Sequence, residues 1–96
     1  MGAISKALTG ADGTLHDVAD DTRVGIYMGI TIRETAGAVA NLRIREGSTS
    51  GRIIETIHLE ADESVSMWFG PQGKRFSGDL VEDKVDGAYE GSVFIL

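Results

Sequence analysis

RVGIYMGITIRE, residues 23–34, alternates along its length. Val24, Ile26, Met28, Ile30 and Ile32 are separated by Gly25, Tyr27, Gly29, Thr31 and Arg33. Successive side chains of an extended chain point to opposite faces, so this period of two predicts a strand with one buried face. The stretch sets the class of the whole chain, because the segments that follow repeat its pattern.

AVANLRIRE, residues 38–46, places Leu42 and Ile44 on one face and Arg43 and Arg45 on the other. GSTSG, residues 47–51, is a polar turn, and RIIETIHLE, residues 52–60, alternates again with Ile53, Ile57 and Leu59 expected inward. Ile54 breaks that alternation and predicts a bulge or burial on both sides. The two runs and their turn predict a β-hairpin. SVSMWF, residues 64–69, is a further strand, with Val65, Met67 and Phe69 on one face and Trp68 on the other. KRF at 74–76 reads as a short strand, DLVEDKVDG at 79–87 as a weaker one, and EGSVFIL at 90–96 as a strand apolar on both faces. No stretch of ten residues holds a helical period, and ETAGAVAN at 34–41 reads as a connection. The expected class is all-β: a small antiparallel β-sandwich, jelly-roll-like, or a partly closed barrel. Residues 1–22, with the small and acidic TGADGTLHDVADD, are expected as an extended N-terminal arm with one short strand near Leu15 to Val18. Residues 23–96 are expected as a single sandwich domain.

Composition narrows the function. The 96 residues include no cysteine, which excludes disulfides, thiolate metal sites and cysteine nucleophiles. Net charge is −6. One Lys faces four Asp in residues 1–22, four Arg face two Glu in 23–51, and four basic residues face nine acidic ones in 52–96. That balance argues against nucleic acid as a partner, which calls for a basic surface. No run approaches the ~18 apolar residues of a membrane helix, so no membrane contact is expected. MGAISKALTGADG lacks the apolar core of a secretion signal.

Catalytic motifs do not assemble. There is no G-x-S-x-G, H-E-x-x-H or P-loop, and GPQGKRFSG lacks the hydroxyl residue after its lysine. Ser48, Thr49 and Ser50 are turn residues without a base in reach of the pattern. His16 lies among Asp12, Asp17, Asp20 and Asp21, but their spacing fits no EF-hand, and a solvated arm is the simpler reading. His58 is expected on an exposed face. Asp62/Glu63 and Glu82/Asp83 are neighbours that a strand sends to opposite sides, hence surface charge. No catalytic residue, metal or cofactor is expected. Arg33, Arg43 and Arg45 are read as a docking surface for an acidic partner. In SMWFGPQGKRFSG, residues 66–78, Pro71 ends the strand and the glycines allow the corner, while Trp68 points outward as a candidate anchor.

The segment from Asn41 to Leu96 resembles small all-β structural proteins of tailed bacteriophages. The likeness is carried by the Gly/Ser hairpin, L-x-A-x-E-S at Leu59 to Ser64, WFGPQG at Trp68 to Gly73 and EGSVF at Glu90 to Phe94. It covers roughly residues 38–96 and involves no active-site residue. The resemblance implies a capsid decoration (cement) protein, made in the host cytoplasm and placed on the virion's capsid surface. It further implies the major capsid protein as partner and a homotrimer as the unit. The arm, through Leu8, Leu15, His16 and Val18, is then expected to grip the capsid. Trp68, Tyr89, Phe94 and Leu96 are expected at the oligomer or partner interface. The alternative is a carbohydrate- or receptor-binding module of a head fibre or tail, with Trp68 and Tyr27 stacked on sugar rings.

Overall fold

The computed structural model describes residues 4–17 and 25–96. Among these residues nine strands follow one another: β1 (Ile4–Ala7), β2 (Gly13–His16), β3 (Gly25–Glu34), β4 (Ala40–Glu46), β5 (Arg52–Leu59), β6 (Ser64–Trp68), β7 (Lys74–Phe76), β8 (Leu80–Asp86) and β9 (Tyr89–Ile95). A single 3-10 turn, Gly70–Gln72, fills the corner between β6 and β7. The strands form two antiparallel sheets. The front sheet runs β1-β9-β3-β6, with β7 also paired to β3, and the back sheet runs β2-β8-β4-β5. The fold is therefore a β-sandwich, and the sheets do not close into a barrel.

The core lies between the sheets. Ile30, Ile32 and Val93 of the front meet Leu42, Ile44 and Leu59 of the back, all buried. Each such side chain contributes roughly 1.5–3 kcal/mol by leaving water. The hairpin of β4 and β5 forms as its alternation requires, Leu42 opposite Ile57 and Ala40 opposite Leu59.

Two bulges change which residues face inward. On β3 the register with β9 shifts between Tyr27 and Gly29. Alternation alone puts Ile26 inward and Tyr27 outward; the extra residue, Met28, reverses this. Tyr27 joins the core and Ile26 is only half-buried. Met28 is buried yet lies outside the inter-sheet cluster. On β5 the register with β4 shifts between Ile44 and Arg45. Ile54 consequently packs in the core and Ile53 is exposed, the reverse of the expected assignment for Ile53. Glu55, opposite Ile44 and alternating with Ile57 and Leu59, accepts from Lys74 Nζ at 3.0 Å, which also donates to the Ile54 carbonyl.

The described residues of the expected N-terminal arm, 4–17, instead contribute two strands to the sandwich. β1 pairs with β9, Ile4 opposite Ile95 and Ala7 opposite Ser92, and β2 pairs with β8. DLVEDKVDG, the weakest strand pattern, becomes β8 and lies between β2 and β4. Glu82 explains both facts. Its side chain is fully buried and takes hydrogen bonds from Thr9 N and Oγ1, Gly10 N and the Tyr89 hydroxyl. A buried polar group persists only when so satisfied. One carboxyl thus ties the β1–β2 connection to both sheets, and the surface charge expected at Glu82 is a core staple.

Candidate functional site

The outer faces of the two sheets differ in chemistry, and that difference locates the site. On the back sheet the polar side chains satisfy one another. Arg45 donates to Asp83 at 2.7 Å and to the Gly51 carbonyl at 2.7 Å. Asn41 donates to Asp86, and its other amide atom lies 2.7 Å from His58 Nδ1. His58 Nε2 lies 3.0 Å from Glu60. Arg43 stands in register with Asp83.

The front face is graded along the strands. At one end Arg33 pairs with Glu90, beside Ser64. The next row is Ser66, Thr31, Ser92 and Ala7, and the row after it is Trp68, Gly29, Phe94 and Ser5. At the far end Ile26 and Leu96 exchange backbone hydrogen bonds and stand opposite each other. Arg75 sits beside Ile26. Between the Arg33–Glu90 pair and Arg75 these rows contain no charged residue. A shallow cleft of about 300 Å³ opens at the polar end, lined by Thr31, Ile32, Arg33, Ser64, Glu90 and Gly91.

Gly29 organises the apolar end. A Cβ there would lie 2.2 Å from the Met67 carbonyl oxygen, so no side chain fits. The gap is spanned by the neighbours: Trp68 and Phe94 meet edge-on across it, ring centroids 6.0 Å apart. Such a pair contributes roughly 0.5–1.5 kcal/mol beyond its buried area. Trp68 nonetheless remains 61% exposed. With half-buried Ile26, Phe94 and Leu96 it forms an apolar patch on the front face.

Three of the four expected interface residues, Trp68, Phe94 and Leu96, thus share one face. Tyr89 does not. It points between the sheets to Glu82, and burial first, then the Glu82 bond, raises its hydroxyl pKa. The arm residues are likewise redirected: Leu15 and His16 are buried, His16 edge-on to Phe76 at 6.2 Å, and Leu8 packs on the core edge. Pairing of β2 with β8 draws them in. Val18 lies outside the described residues. The arginines form no common surface, because Arg33 is on the front sheet and Arg43 and Arg45 on the back. Tyr27 is fully buried, its hydroxyl without a hydrogen-bond partner among the described residues, so it cannot stack on a ligand beside Trp68. Phe69, expected in the core, is partly exposed over the Tyr27 ring, with Lys74 Nζ 5.3 Å from its centroid.

No group of three or more His, Cys, Asp or Glu among the described residues could hold a metal ion. No family model, no curated protein and no solved structure matches the chain. What this site can do is read from its chemistry: it offers stacking, hydroxyl contacts and burial of apolar area.

The rim opposite the corner holds a second buried carboxylate. Glu34 accepts hydrogen bonds from Asp62 N at 2.8 Å and Gly37 N at 2.9 Å, which fixes the loop after β3 and the turn before β6. The Asp62 amide leads the causes that hold its carboxyl below the usual range; the Arg52 side chain does the same for Glu46. A carboxyl depressed by folding stabilises the fold above its unfolded pKa, about 4.3, and loses that contribution as pH falls through its lowered folded value. Acid should therefore shift the urea midpoint downward below about pH 4.3. Glu34→Gln should fall short of wild type at pH 7, and the gap should narrow as pH falls below about 4.3. A gap that stays constant over that range would refute the linkage.

Proposed function

We propose that this protein is a non-catalytic virion protein that decorates the outside of a phage head, docking the apolar end of its front face on the major capsid protein. The observation that carries the reading is the exposed Trp68, held by Phe94 across Gly29 on an uncharged stretch of sheet. A rigid aromatic anchor set among small residues is the usual centre of a protein contact. The resemblance of residues 38–96 to tailed-phage structural proteins supplies the partner. Docking by this face assigns no role to an N-terminal arm, whose described residues form β1, β2 and the connection between them.

Co-sedimentation with heads of the encoding phage that lack the protein tests the reading. Wild type should bind saturably, and Trp68→Ser should weaken binding by roughly thirtyfold, the effect of losing one anchor. Absence of wild-type binding to those heads would sink the proposal. One observation favours a second reading: Ser66, Thr31 and Ser92 form a row of hydroxyls beside the indole, a surface suited to a sugar chain. Tryptophan fluorescence that responds to glycans, with no binding to heads, would select that reading.

A further inference from the structure

Among the described residues five strands lie at sheet edges, and all but β6 are protected against pairing; β7 is three residues long and carries Lys74 and Arg75. β1 is four residues long and turns Lys6 toward the interior side, opposite Val93. β2 is equally short and bulged between Thr14 and His16. β5 is bulged, carries Arg52, Glu55 and His58, and has its Ile54 carbonyl occupied by Lys74. Short strands, bulges and charges are the devices that keep sheet edges from joining. β6, SVSMW, has none of them. It is five residues long, uncharged, and pairs with β3 without a register shift.

Its free side is well defined. Glu63 O accepts from Glu34 N, and Phe69 N donates to Met28 O. Odd-numbered residues thus bond to β3, and alternation turns the backbone N–H and C=O of Ser64, Ser66 and Trp68 away from it. Among the described residues no strand pairs with that side. Val65 and Met67 are only half-buried, so the core is thinly covered there.

We infer that β6 pairs antiparallel with β6 of a second copy of this chain, about a two-fold axis through Ser66. The sequence is self-complementary in that arrangement. Ser66 meets the partner's Ser66, and Trp68 meets the partner's Ser64, a large residue over a small one. Val65 meets the partner's Met67 on the core side. The outward backbone groups form about six hydrogen bonds. Charge agrees as well. Glu60, Asp62 and Glu63 precede the strand and Lys74 and Arg75 follow it. Antiparallel pairing sets the acidic end of one copy beside the basic end of the other. The two front sheets become one, and the contact is closed, which leaves no β6 edge open. The unit is a dimer in place of the trimer that the phage resemblance implies, and the inference holds whatever the front face docks on.

Light scattering of the purified full chain at submillimolar concentration tests it without heads or ligand. The expected mass is twice the 10.2 kDa of the chain. Ser66→Lys sets two lysines against each other at the axis on an exposed position, and should weaken the dimer at least tenfold with an unchanged circular-dichroism spectrum. Glu63→Arg and Arg75→Glu should each weaken it, and the double variant should recover association. A monomeric wild type would overturn the inference. So would a dimer indifferent to Ser66→Lys, or a trimer lost only on Phe94→Ser, which would place the contact on the front face.

Discussion

Glu82→Ala is expected to destabilise the fold by about 3 kcal/mol or more. The substitution removes the shared acceptor of Thr9 N, Gly10 N and the Tyr89 hydroxyl. The Tyr89 hydroxyl, left buried without its partner, costs roughly 1–3 kcal/mol, the part-buried Thr9 and Gly10 amides add less, and the methyl group leaves a void as well. The effect is conditional on the β1–β2 connection staying in place. Urea unfolding followed by Trp68 fluorescence measures it. A loss under about 1 kcal/mol would mean that residues 9–12 turn to solvent at little cost, and that Glu82 does not hold the N-terminal strands. Glu82→Gln should lie between, because the amide keeps one acceptor but offers an NH₂ group to donors.

Gly29→Ala should be nearly as costly, about 3 kcal/mol, for the opposite reason. The position is too full rather than too empty. A Cβ would meet the Met67 carbonyl oxygen at 2.2 Å and the Trp68 Cα at 3.1 Å, both backbone atoms that cannot rotate away. Relief requires β6 to move off β3, and this breaks the ladder from Gly29–Trp68 to Arg33–Ser64. Trp68 then loses its edge-on contact with Phe94. Near-ultraviolet circular dichroism should therefore lose its tryptophan bands while the far-ultraviolet strand signal persists. A variant as stable as wild type would show that β3 and β6 can separate freely at this row. Thr31→Ala, one row along the same exposed face, serves as the control with little expected effect.

The period of two in residues 23–34, 40–46, 52–59 and 64–68 was enough for strands, hairpin and sandwich, because one-sided burial writes itself into alternation. What alternation could not locate were the bulges. An inserted residue such as Met28 leaves the pattern looking continuous while it moves Tyr27 from the surface to the core. At β5 the doubled Ile53–Ile54 did signal the irregularity, but not which isoleucine would be inside. The N-terminal segment failed differently. Four-residue strands are too short to show a period, and β1 and β2 are defined by partners more than 60 residues away. Glu82 read as surface charge because sequence shows a carboxylate and not its donors. Trp68 was legible as an outward residue, whereas Phe94 and Leu96 were legible only as part of a strand apolar on both faces; Gly29, which brings Trp68 and Phe94 together, gave no signal beyond being a glycine in a strand.

The order of strands in the front sheet also governs when the protein can become itself. β9 lies between β1 and β3, with Ile4 opposite Ile95 and Ile32 opposite Gly91. β1 therefore has no partner strand until β9, more than 80 residues later, has been made. β4 and β5 can close as a local hairpin during synthesis, but β1 must wait unpaired until residues 89–95 have been made. Long-range pairing of this kind folds slowly and leaves strand edges open in the meantime. Lys6 and the short length of β1 then protect a nascent chain as much as a finished one.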